Sequence, residues 1–308
     1  MSLLSVKHLF GLDYIPKEDI DTILDTAIKF REVLDRPIKK VPSLNGKNIL
    51  NLFFENSTRT KVSFELAAKR LSADVVSFAT SSSSLKKGES FKDTVQNLHS
   101  MKIDCVVMRH SAPGACINLS NYVDATILNA GDGYHEHPTQ GLLDMMSIKE
   151  RFGKIKGLKI AIVGDILHSR VARSNIYGLL KMGAKVAVGG PSNLIPKDLE
   201  DLGVKVHHKI DTLIEWADAI NILRIQRERM GVGVVPSIRE YRSLFGVNSE
   251  RINAINKDLV VLHPGPINRG VEVSSDVADG DNAIILDQVL NGVAVRMSVL
   301  FLLLSSKE

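Results

Sequence analysis

Four polar residues stand together where an apolar run gives way to an amphipathic segment. They are Ser57, Thr58, Arg59 and Thr60, within FFENSTRT (53–60). The amides of a helix's first turn have no intrahelical partner and favour an anion, and hydroxyl and guanidinium groups are good donors to phosphate oxygens. The stretch therefore indicates either an ordinary helix cap followed by a solvated arginine, or an anion site.

The residues that follow have the pattern of an amphipathic helix. We predict a helix over about 58–71, with Val62, Leu66 and Ala67 on one face. The chain contains no G-x-x-x-x-G-K-[ST] motif, so a P-loop nucleotide site is not expected.

Two further polar clusters follow apolar runs in the first half of the chain. Arg109 comes directly after VVM, and is either a surface charge or a second cation beside the anion site. GYHEHPTQG (133–141) offers His135 and His137. Their H-x-H spacing suggests a metal, but no carboxylate or thiol set accompanies it and no H-E-x-x-H is present. A neutral His137 that donates to a carbonyl or oxyanion fits better, with Gln140 one turn later.

The second half contains a segment that imitates a dinucleotide-binding turn. In IAIVGDILHSRVARS (160–174), Gly164 stands without the rest of a G-x-G-x-x-G motif, and the next apolar run ends in Gly189-Gly190 rather than in an acid. A nicotinamide cofactor is therefore disfavoured. The turn instead carries cationic groups that suit a carboxylate, namely His168, Arg170 and Arg173.

Two late segments complete the candidates. RIQRER (224–229) places Arg224, Gln226, Arg227 and Arg229 on one short stretch, which is either a solvated charged loop or a second carboxylate site. In HPGPINRG (263–270), two prolines around a glycine predict a rigid turn that could hold backbone carbonyls toward a ligand.

Short, continuous apolar runs that alternate with helix-length amphipathic segments must position these clusters. Such runs are typical of strands buried on both faces of a parallel sheet. Since ligands sit beyond the carboxyl ends of such strands, the clusters lie where a site is expected. The predicted strands cover 48–54, 74–79, 104–108 and 125–128 in a first set, and 158–164, 184–190, 218–223 and 259–263 in a second.

Two further helix-length segments accompany these sets. TQGLLDMMSIKERFGKIKG is predicted to be a helix that leads into the second set, with a buried stripe of Leu142, Met145, Met146 and Ile148, and Gly153 lies near its end. The strongly apolar C-terminal segment is a second helix, which could pack on either domain. The fold class predicted is α/β, with two domains, each a mainly parallel sheet flanked by helices.

The bulk properties are those of a soluble globular protein. The 308 residues suit two domains, and 44% hydrophobic and 24% charged residues with a net charge of +4 give no reason to expect a nucleic-acid partner. Cys105 and Cys116 make no disulfide framework, which favours a reduced, cytoplasmic protein. No signal-peptide pattern is seen, and the run VLFLLL is too short to span a membrane.

The candidates include no nucleophile–base pair, no paired acids and no metal cluster. What remains is catalysis by positioning and oxyanion stabilisation, on a substrate that carries its own nucleophile and a good leaving group.

With these residues assembled, the chain resembles the catalytic chains of the aspartate carbamoyltransferase family, over essentially its whole length. Seven segments stand in the family's order and approximate spacing. They are FFENSTRTKVSFELAAKRL, SSSSLKKGES, VVMRHS, NAGDGYHEHPTQGLLD, GDILHSRVARSN, RIQRER and HPGPINRG.

The resemblance implies transfer of the carbamoyl group of carbamoyl phosphate to the amine of L-aspartate, without cofactor or metal. It implies a carbamoyl-phosphate-binding domain over 1–134, completed by a C-terminal helix at 286–308, and an aspartate-binding domain over 135–285. The two domains would be joined by two interdomain helices, one at about 137–151 and the other at the C-terminus. It also implies a homotrimer that shares active sites between subunits, with Ser84 and Lys87 supplied by a neighbour. Assembly with regulatory chains or with dihydroorotase stays open.

The resemblance also assigns roles. Ser57, Thr58, Arg59, Thr60, Arg109 and Gln140 would hold the phosphate, with Ser84 and Lys87. Thr60, Arg109 and His137 would polarise the carbamoyl oxygen. Arg170 would bind the α-carboxylate of aspartate, and Arg224 its side-chain carboxylate, with Gln226 and Lys87 close by. The carbonyls of Pro264 and Gly265 would orient the attacking amine.

Three alternatives remain. Ornithine carbamoyltransferase shares the phosphate site, but that family has a late His-Cys-Leu-Pro motif and a Ser-Met-Gly loop, where this chain has HPGP and RIQRER. The arginines suit a dicarboxylate and repel an ammonium group. A nicotinamide-dependent dehydrogenase and a non-catalytic binding module are the other two.

Overall fold

The computed structural model of the protein describes residues 4–79, 97, 100–225, 237–255 and 257–305. The chain divides into two compact units. The first comprises Met1–Met146 and Leu290–Glu308, and the second comprises Ser147–Val289. His137 and Gln140 therefore lie in the first unit.

The first unit is built on a parallel sheet with the strand order β2-β1-β3-β4. Its strands are β1 (Asn48–Phe53), β2 (Asp74–Ala79), β3 (Cys105–His110) and β4 (Thr126–Asp132). Its described helices are α1 (Lys17–Leu34), α2 (Thr58–Arg70) and α3 (Ala115–Ser120), followed by α4 (Pro138–Phe152), which continues into the second unit.

The N-terminal segment covers the β4 edge of this sheet. Leu9 donates its amide to the Ile127 carbonyl at 2.9 Å and accepts from the Asn129 amide at 3.0 Å. The backbone groups at the edge of the sheet are thereby satisfied, as buried strands require.

The second unit is built on a parallel sheet with the order β7-β6-β5-β8-β9. Its strands are β5 (Lys159–Val163), β6 (Lys185–Gly189), β7 (Lys205–His207), β8 (Ala219–Ile222) and β9 (Val260–Leu262). Its described helices are α5 (Arg170–Lys181), α6 (Ile210–Trp216), α7 (Ile238–Phe245), α8 (Ser249–Asn253) and α9 (Ser275–Ala278), with short 3₁₀ turns at Ser192–Leu194 and Lys197–Leu202.

The last helix is α10 (Ile285–Leu304), which starts in the second unit and runs through the first. The unit boundaries thus fall inside α4 and α10, which confirms the predicted fold class of two parallel-sheet domains joined by two helices. The helix α10 is long and apolar enough to cross a membrane, with a mean hydropathy of 1.5, but 67% of that window is buried inside the structure. This degree of burial is typical of a core helix in a soluble protein.

All eight predicted strands are present, and β4 extends four residues beyond its predicted end, to Asp132. The strand β7 was not predicted. It has three residues, and neither Lys205 nor His207 is apolar, so it carries no hydrophobic run.

The helix α2 buries only one of the three residues that the sequence placed on a common face, Ala67. Val62 and Leu66 are 48% and 39% exposed, whereas Phe64, Ala67 and Ala68 are buried. Positions 64, 67, 68 and 71 also have the i, i+3, i+4, i+7 spacing of a helix face, so the sequence offered two apolar stripes and tertiary packing selected the second. The predicted stripe of α4 is confirmed, because Leu142, Met145, Met146 and Ile148 are all buried.

Candidate active site

The carboxyl ends of neighbouring strands bring the first set of polar clusters to one edge of the first sheet. Phe53 of β1 lies level with Arg109 of β3, and Met108 of β3 with Asn129 of β4. The residues that follow β1, β3 and β4 therefore share this edge, as the strand-end rule predicted.

The start of α2 has the form of an anion site. Ser57 is the N-cap residue, with extended φ of −159°, yet its hydroxyl makes no capping hydrogen bond. Thr58 and Arg59 are exposed, and Ser57 and Thr60 are half-buried. A serine at this position ordinarily accepts from an amide of the first turn, and the Ser57 hydroxyl does not.

Arg109 is held in place by the strands on either side of it. Its Nε lies 3.3 Å from Glu55 Oε2, its Nη1 donates to the Ala130 carbonyl at 3.2 Å, and its own carbonyl accepts from the Phe54 amide at 2.8 Å. The side chain is only 13% exposed. A guanidinium fixed in this way is pre-organised for a ligand at the same edge.

A buried polar network shapes the loop after β4. Asp132 is 1% exposed and accepts hydrogen bonds from the Gly114 amide at 2.7 Å and from Asn129 Nδ2 at 2.7 Å. His135 Nδ1 lies 3.1 Å from the same carboxylate. Burial by itself would raise the pKa of Asp132, but the hydrogen bonds from His135 and Asn129 outweigh it, and the pKa lies below the usual 3.8.

The two histidines of the H-x-H motif thus have different surroundings. His135 packs against Asp132 and Tyr14, with Tyr14 Oη 3.3 Å from Nε2, whereas His137 is 5% exposed and immediately precedes α4. Among the residues that the structure describes, no group of three or more histidine, cysteine or acidic side chains is placed to hold a metal ion.

Glu136, between these histidines, ties the loop to the N-terminal segment. Its carboxylate is fully buried and accepts from the amides of Leu12 at 2.7 Å and Asp13 at 3.2 Å. A Cβ on Gly11 would lie 2.1 Å from Glu136 Oε1, so glycine is required there for the approach. Glu136 therefore fixes the backbone from which His137 projects.

Gln140 is fixed in turn by an acid on its own helix. Its Nε2 donates to Asp144 Oδ1 at 2.9 Å, and both residues are buried. The contact determines which end of the amide carries the oxygen, because the carboxylate can only accept. Asp132, Glu136 and Asp144 were not predicted from sequence; Asp144 did give a signal, as an acid inside the apolar stripe of α4.

The second set of clusters lies at the carboxyl edge of the second sheet. Val163 of β5 is level with Ile222 of β8, and Asn221 of β8 with Leu262 of β9. The residues after β5, β8 and β9 are therefore neighbours at this edge. They include the predicted carboxylate-binding residues Arg170 and Arg224 and the turn at Pro264 and Gly265.

Arg170 is the first residue of α5 and is only 4% exposed. Ser169 caps the helix by accepting from the Ala172 amide at 3.1 Å. The other two cationic groups of this turn contact side chains of their own segment. His168 Nδ1 lies 3.0 Å from Asp165 Oδ1, and Arg173 Nη2 donates to Tyr177 Oη at 3.4 Å.

The HPGP turn is held by buried side chains. The His263 amide donates to Gln288 Oε1 at 2.9 Å, and the Gly265 amide donates to His263 Nδ1 at 2.8 Å. Glu272 lies 3.3 Å from His263 Nε2 and accepts from the Asn268 amide at 2.6 Å. These contacts make the turn rigid, as its prolines predicted.

Some predicted site residues lie outside the described part of the chain: Ser84, Lys87, Gln226, Arg227 and Arg229. The cysteines are described, and both are buried and unoxidised. Burial raises the pKa of the Cys105 thiol and of the Cys116 thiol, so neither is suited to act as a thiolate nucleophile.

Comparison with known proteins gives a consistent family. Residues 7–150 match the family model for the carbamoyl-P binding domain of aspartate/ornithine carbamoyltransferase, and residues 156–303 match its Asp/Orn binding domain. The aspartate carbamoyltransferase catalytic subunit of Christiangramia forsetii is 60% identical over 304 residues, which are 99% of this chain and 98% of the relative. That of Cytophaga hutchinsonii is 57% identical over 307 residues, a coverage of 100% of each chain after rounding.

Solved structures match at lower identity. Aspartate transcarbamoylase from Trypanosoma cruzi, in complex with carbamoyl phosphate and aspartate, has a TM-score of 0.88 at 30% identity, covering 97% of each chain. Ornithine carbamoyltransferase from Pyrococcus furiosus has a TM-score of 0.86 at 29% identity, also covering 97% of each chain.

Proposed function

The chain belongs to the aspartate/ornithine carbamoyltransferase family, and we propose that it transfers the carbamoyl group of carbamoyl phosphate to the amine of L-aspartate. The products are N-carbamoyl-L-aspartate and phosphate. Full-length identity of 60% to an aspartate carbamoyltransferase catalytic subunit is the observation that carries this choice.

The fold alone does not separate aspartate from ornithine as the acceptor. Structures with either specificity match almost equally well, with TM-scores of 0.88 and 0.86. The side chains do favour aspartate. Arg170 and Arg224 follow neighbouring strands of the second sheet, and two guanidinium groups suit two carboxylates while repelling the side-chain ammonium of ornithine.

Carbamoyl phosphate binds at the carboxyl edge of the first sheet in this proposal. Ser57, Thr58, Arg59 and Thr60 hold the phosphate at the start of α2, where the helix dipole and the first-turn amides favour an anion. Because the Ser57 hydroxyl makes no capping bond, phosphate binding does not have to displace one.

The carbamoyl group lies toward β3 and β4. Thr60, Arg109 and His137 donate to its oxygen, which gains negative charge when the carbonyl carbon is attacked. Gln140 was expected to help hold the phosphate. Its Nε2 donates one N–H to Asp144 and has a second for the phosphate, and its Oε1 can accept from the carbamoyl –NH₂ group.

Aspartate binds at the edge of the second sheet. Arg170 takes its α-carboxylate and Arg224 its side-chain carboxylate, with Gln226 nearby. The Pro264 and Gly265 carbonyls accept from the attacking amine and so direct its lone pair at the carbamoyl carbon. Gly265 has a φ of +63°, a conformation that glycine adopts without strain.

The transfer needs no electron donor or external nucleophile. The neutral amine forms a C–N bond to the carbamoyl carbon, the C–O bond to phosphate breaks, and phosphate leaves with the proton that the amine loses. Arg59, Arg109 and Lys87 offset the charge on the leaving group. No cofactor or metal has a role in this scheme.

The proposal also includes the roles of the two domains, the metabolic pathway, the location in the cell and the oligomeric state. The domain expected over 1–134 with 286–308 serves carbamoyl phosphate and that expected over 135–285 serves aspartate, except that we place His137 and Gln140 with the carbamoyl-phosphate domain, since the first unit extends to Met146. The chain acts in de novo pyrimidine biosynthesis in the cytoplasm, as a homotrimer in which Ser84 and Lys87 complete a neighbour's site. The proposal does not choose between assembly with regulatory chains and assembly with dihydroorotase.

The sharing of active sites between subunits is tested by mixing inactive Arg59→Ala subunits with inactive Lys87→Ala subunits. Regained activity in the mixture requires sites built from two chains.

The reaction itself is tested with the purified protein, carbamoyl phosphate and either aspartate or ornithine. We expect phosphate release and N-carbamoyl-L-aspartate with aspartate, and neither citrulline nor phosphate with ornithine. Turnover with ornithine alone, or with neither amino acid, would contradict the proposal. Binding of carbamoyl phosphate without phosphate release would indicate a non-catalytic binding module.

A further inference from the structure

A buried cation interrupts the apolar helix α10. Arg296 is 4% exposed, and its neighbours Ala294, Val295 and Met297 are fully buried. Burying a charge is costly, and an apolar side chain of similar volume is often at least as stabilising. The presence of arginine here therefore points to a requirement other than stability, which its contacts identify.

The first set of contacts leads to α2. Arg296 Nη1 donates to Ser63 Oγ at 3.0 Å and to the Gly292 carbonyl at 2.8 Å, and Cζ lies 5.0 Å from the centre of the Phe64 ring. Ser63 and Phe64 come five and six residues after Thr58, about one and a half turns from the helix start. Arg296 therefore contacts α2 about one and a half turns after its proposed phosphate-binding end.

A second link, the electrostatic attraction of Asp144, relates Arg296 to Gln140. Asp144 is fully buried and accepts from Gln140 Nε2 at 2.9 Å. Burial lowers the pKa of Arg296 to about 10, and the negative charge of Asp144 acts against that lowering. The charge of Asp144 therefore favours the protonated, cationic form of Arg296.

We propose that Arg296 and Asp144 are positioning residues for carbamoyl phosphate, Arg296 fixing the start of α2 and Asp144 fixing the amide of Gln140. The inference rests on the proposed function, because α2 and Gln140 are assigned there to carbamoyl phosphate. Neither Arg296 nor Asp144 is assigned a contact with a substrate. Their effect is on where the contacting groups are held.

Gly292 is part of the same arrangement. A Cβ at this position would lie 2.6 Å from Arg296 Nη1 and 3.2 Å from Leu143 Cδ2. Gly292→Ala therefore displaces the guanidinium without removing its charge. It separates a need for the position of Arg296 from a need for its charge alone.

The test compares Arg296→Met with Ser298→Ala. Ser298 is a matched control, because it is also buried on α10 but donates to the Ile23 carbonyl at 2.8 Å, away from α2. We expect Arg296→Met to raise the KM for carbamoyl phosphate roughly tenfold or more, since small misplacements of binding groups have effects of that order. The KM for aspartate should change less than twofold, and Ser298→Ala should change neither constant.

Graded variants extend the comparison. Arg296→Lys should restore part of the affinity for carbamoyl phosphate, and Gly292→Ala should behave like a milder Arg296→Met. If Arg296→Met does not fold, Ser63→Ala takes its place, because it removes only the hydroxyl that Arg296 contacts. Ser63→Ala is then expected to raise the carbamoyl phosphate KM severalfold without affecting the aspartate KM.

A result in which the Arg296 or Ser63 variant leaves the carbamoyl phosphate KM unchanged, or raises both KM values equally, overturns the positioning role. The binding of inorganic phosphate, measured by calorimetry on the same proteins, keeps this test separate from the reaction. Failure of the wild-type protein to turn over would reject the proposed function. Equal phosphate affinity in the wild type and the variants would reject the proposed positioning role.

Discussion

The helices α2 and α5 occupy equivalent places in the two sheets but begin in different ways. Each follows a central strand, β1 or β5, and each has a serine as its N-cap. Ser169 accepts from the Ala172 amide at 3.1 Å and caps α5, whereas Ser57 makes no capping bond at the start of α2.

The arginines beside the two N-cap serines also differ, in how far they are exposed to solvent. Arg59 is exposed at the start of α2, while Arg170 is 4% exposed at the start of α5. A helix start that is not capped by its own serine suits a tetrahedral anion, which accepts from several donors at once. A capped helix with a buried, oriented guanidinium suits a planar carboxylate. In the proposed assignment, the start of α2 is the phosphate end and the start of α5 is the carboxylate end.

The largest predicted effect is at the phosphate end. Arg59→Ala should lower kcat/KM for carbamoyl phosphate about 10³-fold, because it removes a charged donor to the leaving group. Steady-state kinetics measures this loss. Lys69→Ala is the matched control on the same helix, since Lys69 pairs with Glu65 and its side chain is 60% exposed. Equal activity of the Arg59→Ala and Lys69→Ala variants would contradict the assignment of the phosphate site to the start of α2.

A change in the proposed aspartate site should affect the KM for aspartate rather than the KM for carbamoyl phosphate. Arg224→Ala should raise the aspartate KM about 10²-fold, the cost expected when a carboxylate loses its charged partner. The carbamoyl phosphate KM should stay within twofold. Arg269→Ala is the control, because Arg269 pairs with Asp279 on the exposed surface. Unchanged saturation by aspartate in the Arg224 variant would show that the side-chain carboxylate binds elsewhere.

Stability should distinguish the two serines. Ser169→Ala removes a capping bond and should lower the free energy of unfolding by about 1 kcal/mol. Ser57→Ala removes no capping bond and should change it by less than about 0.5 kcal/mol. Urea denaturation followed by circular dichroism measures both. Equal losses would mean that the two helix starts are capped alike.

The smallest predicted effect concerns Asp132, the buried acid at the end of β4. The folded-state pKa of Asp132 lies below its usual 3.8, so its stabilising contribution is present above pH 3.8 and is lost as pH falls through the lowered pKa. The melting temperature of the wild type should therefore approach that of Asp132→Asn below about pH 4. A constant difference between the two proteins from pH 7 to pH 3 would exclude this contribution.

Much of this architecture was accessible from sequence. The strands were predicted because continuous apolar runs mark the interior of a parallel sheet, and the clusters at Ser57–Thr60, Arg109 and Arg224 were found because ligands collect at the carboxyl ends of such strands. The resemblance to a family then supplied roles that spacing alone left open between caps, solvated loops and binding sites.

The supporting residues were not accessible in the same way. Glu136 serves amides 124 and 123 positions earlier in the chain, and Arg296 bonds to Ser63 across 233 positions. No local pattern reports such a contact, because the partner is determined by the tertiary fold. The buried face of α2 was not accessible for a related reason, since the local spacing allowed two.

The most direct test of the comparison is the affinity for inorganic phosphate of the wild type, Ser57→Ala and Ser169→Ala, measured by isothermal titration calorimetry. Loss of one hydroxyl bonded to a charged ligand should weaken binding about tenfold in Ser57→Ala. Ser169→Ala should bind phosphate as the wild type does. Unaltered affinity in Ser57→Ala, or an equal loss in both variants, would contradict the assignment of the start of α2 as the phosphate site.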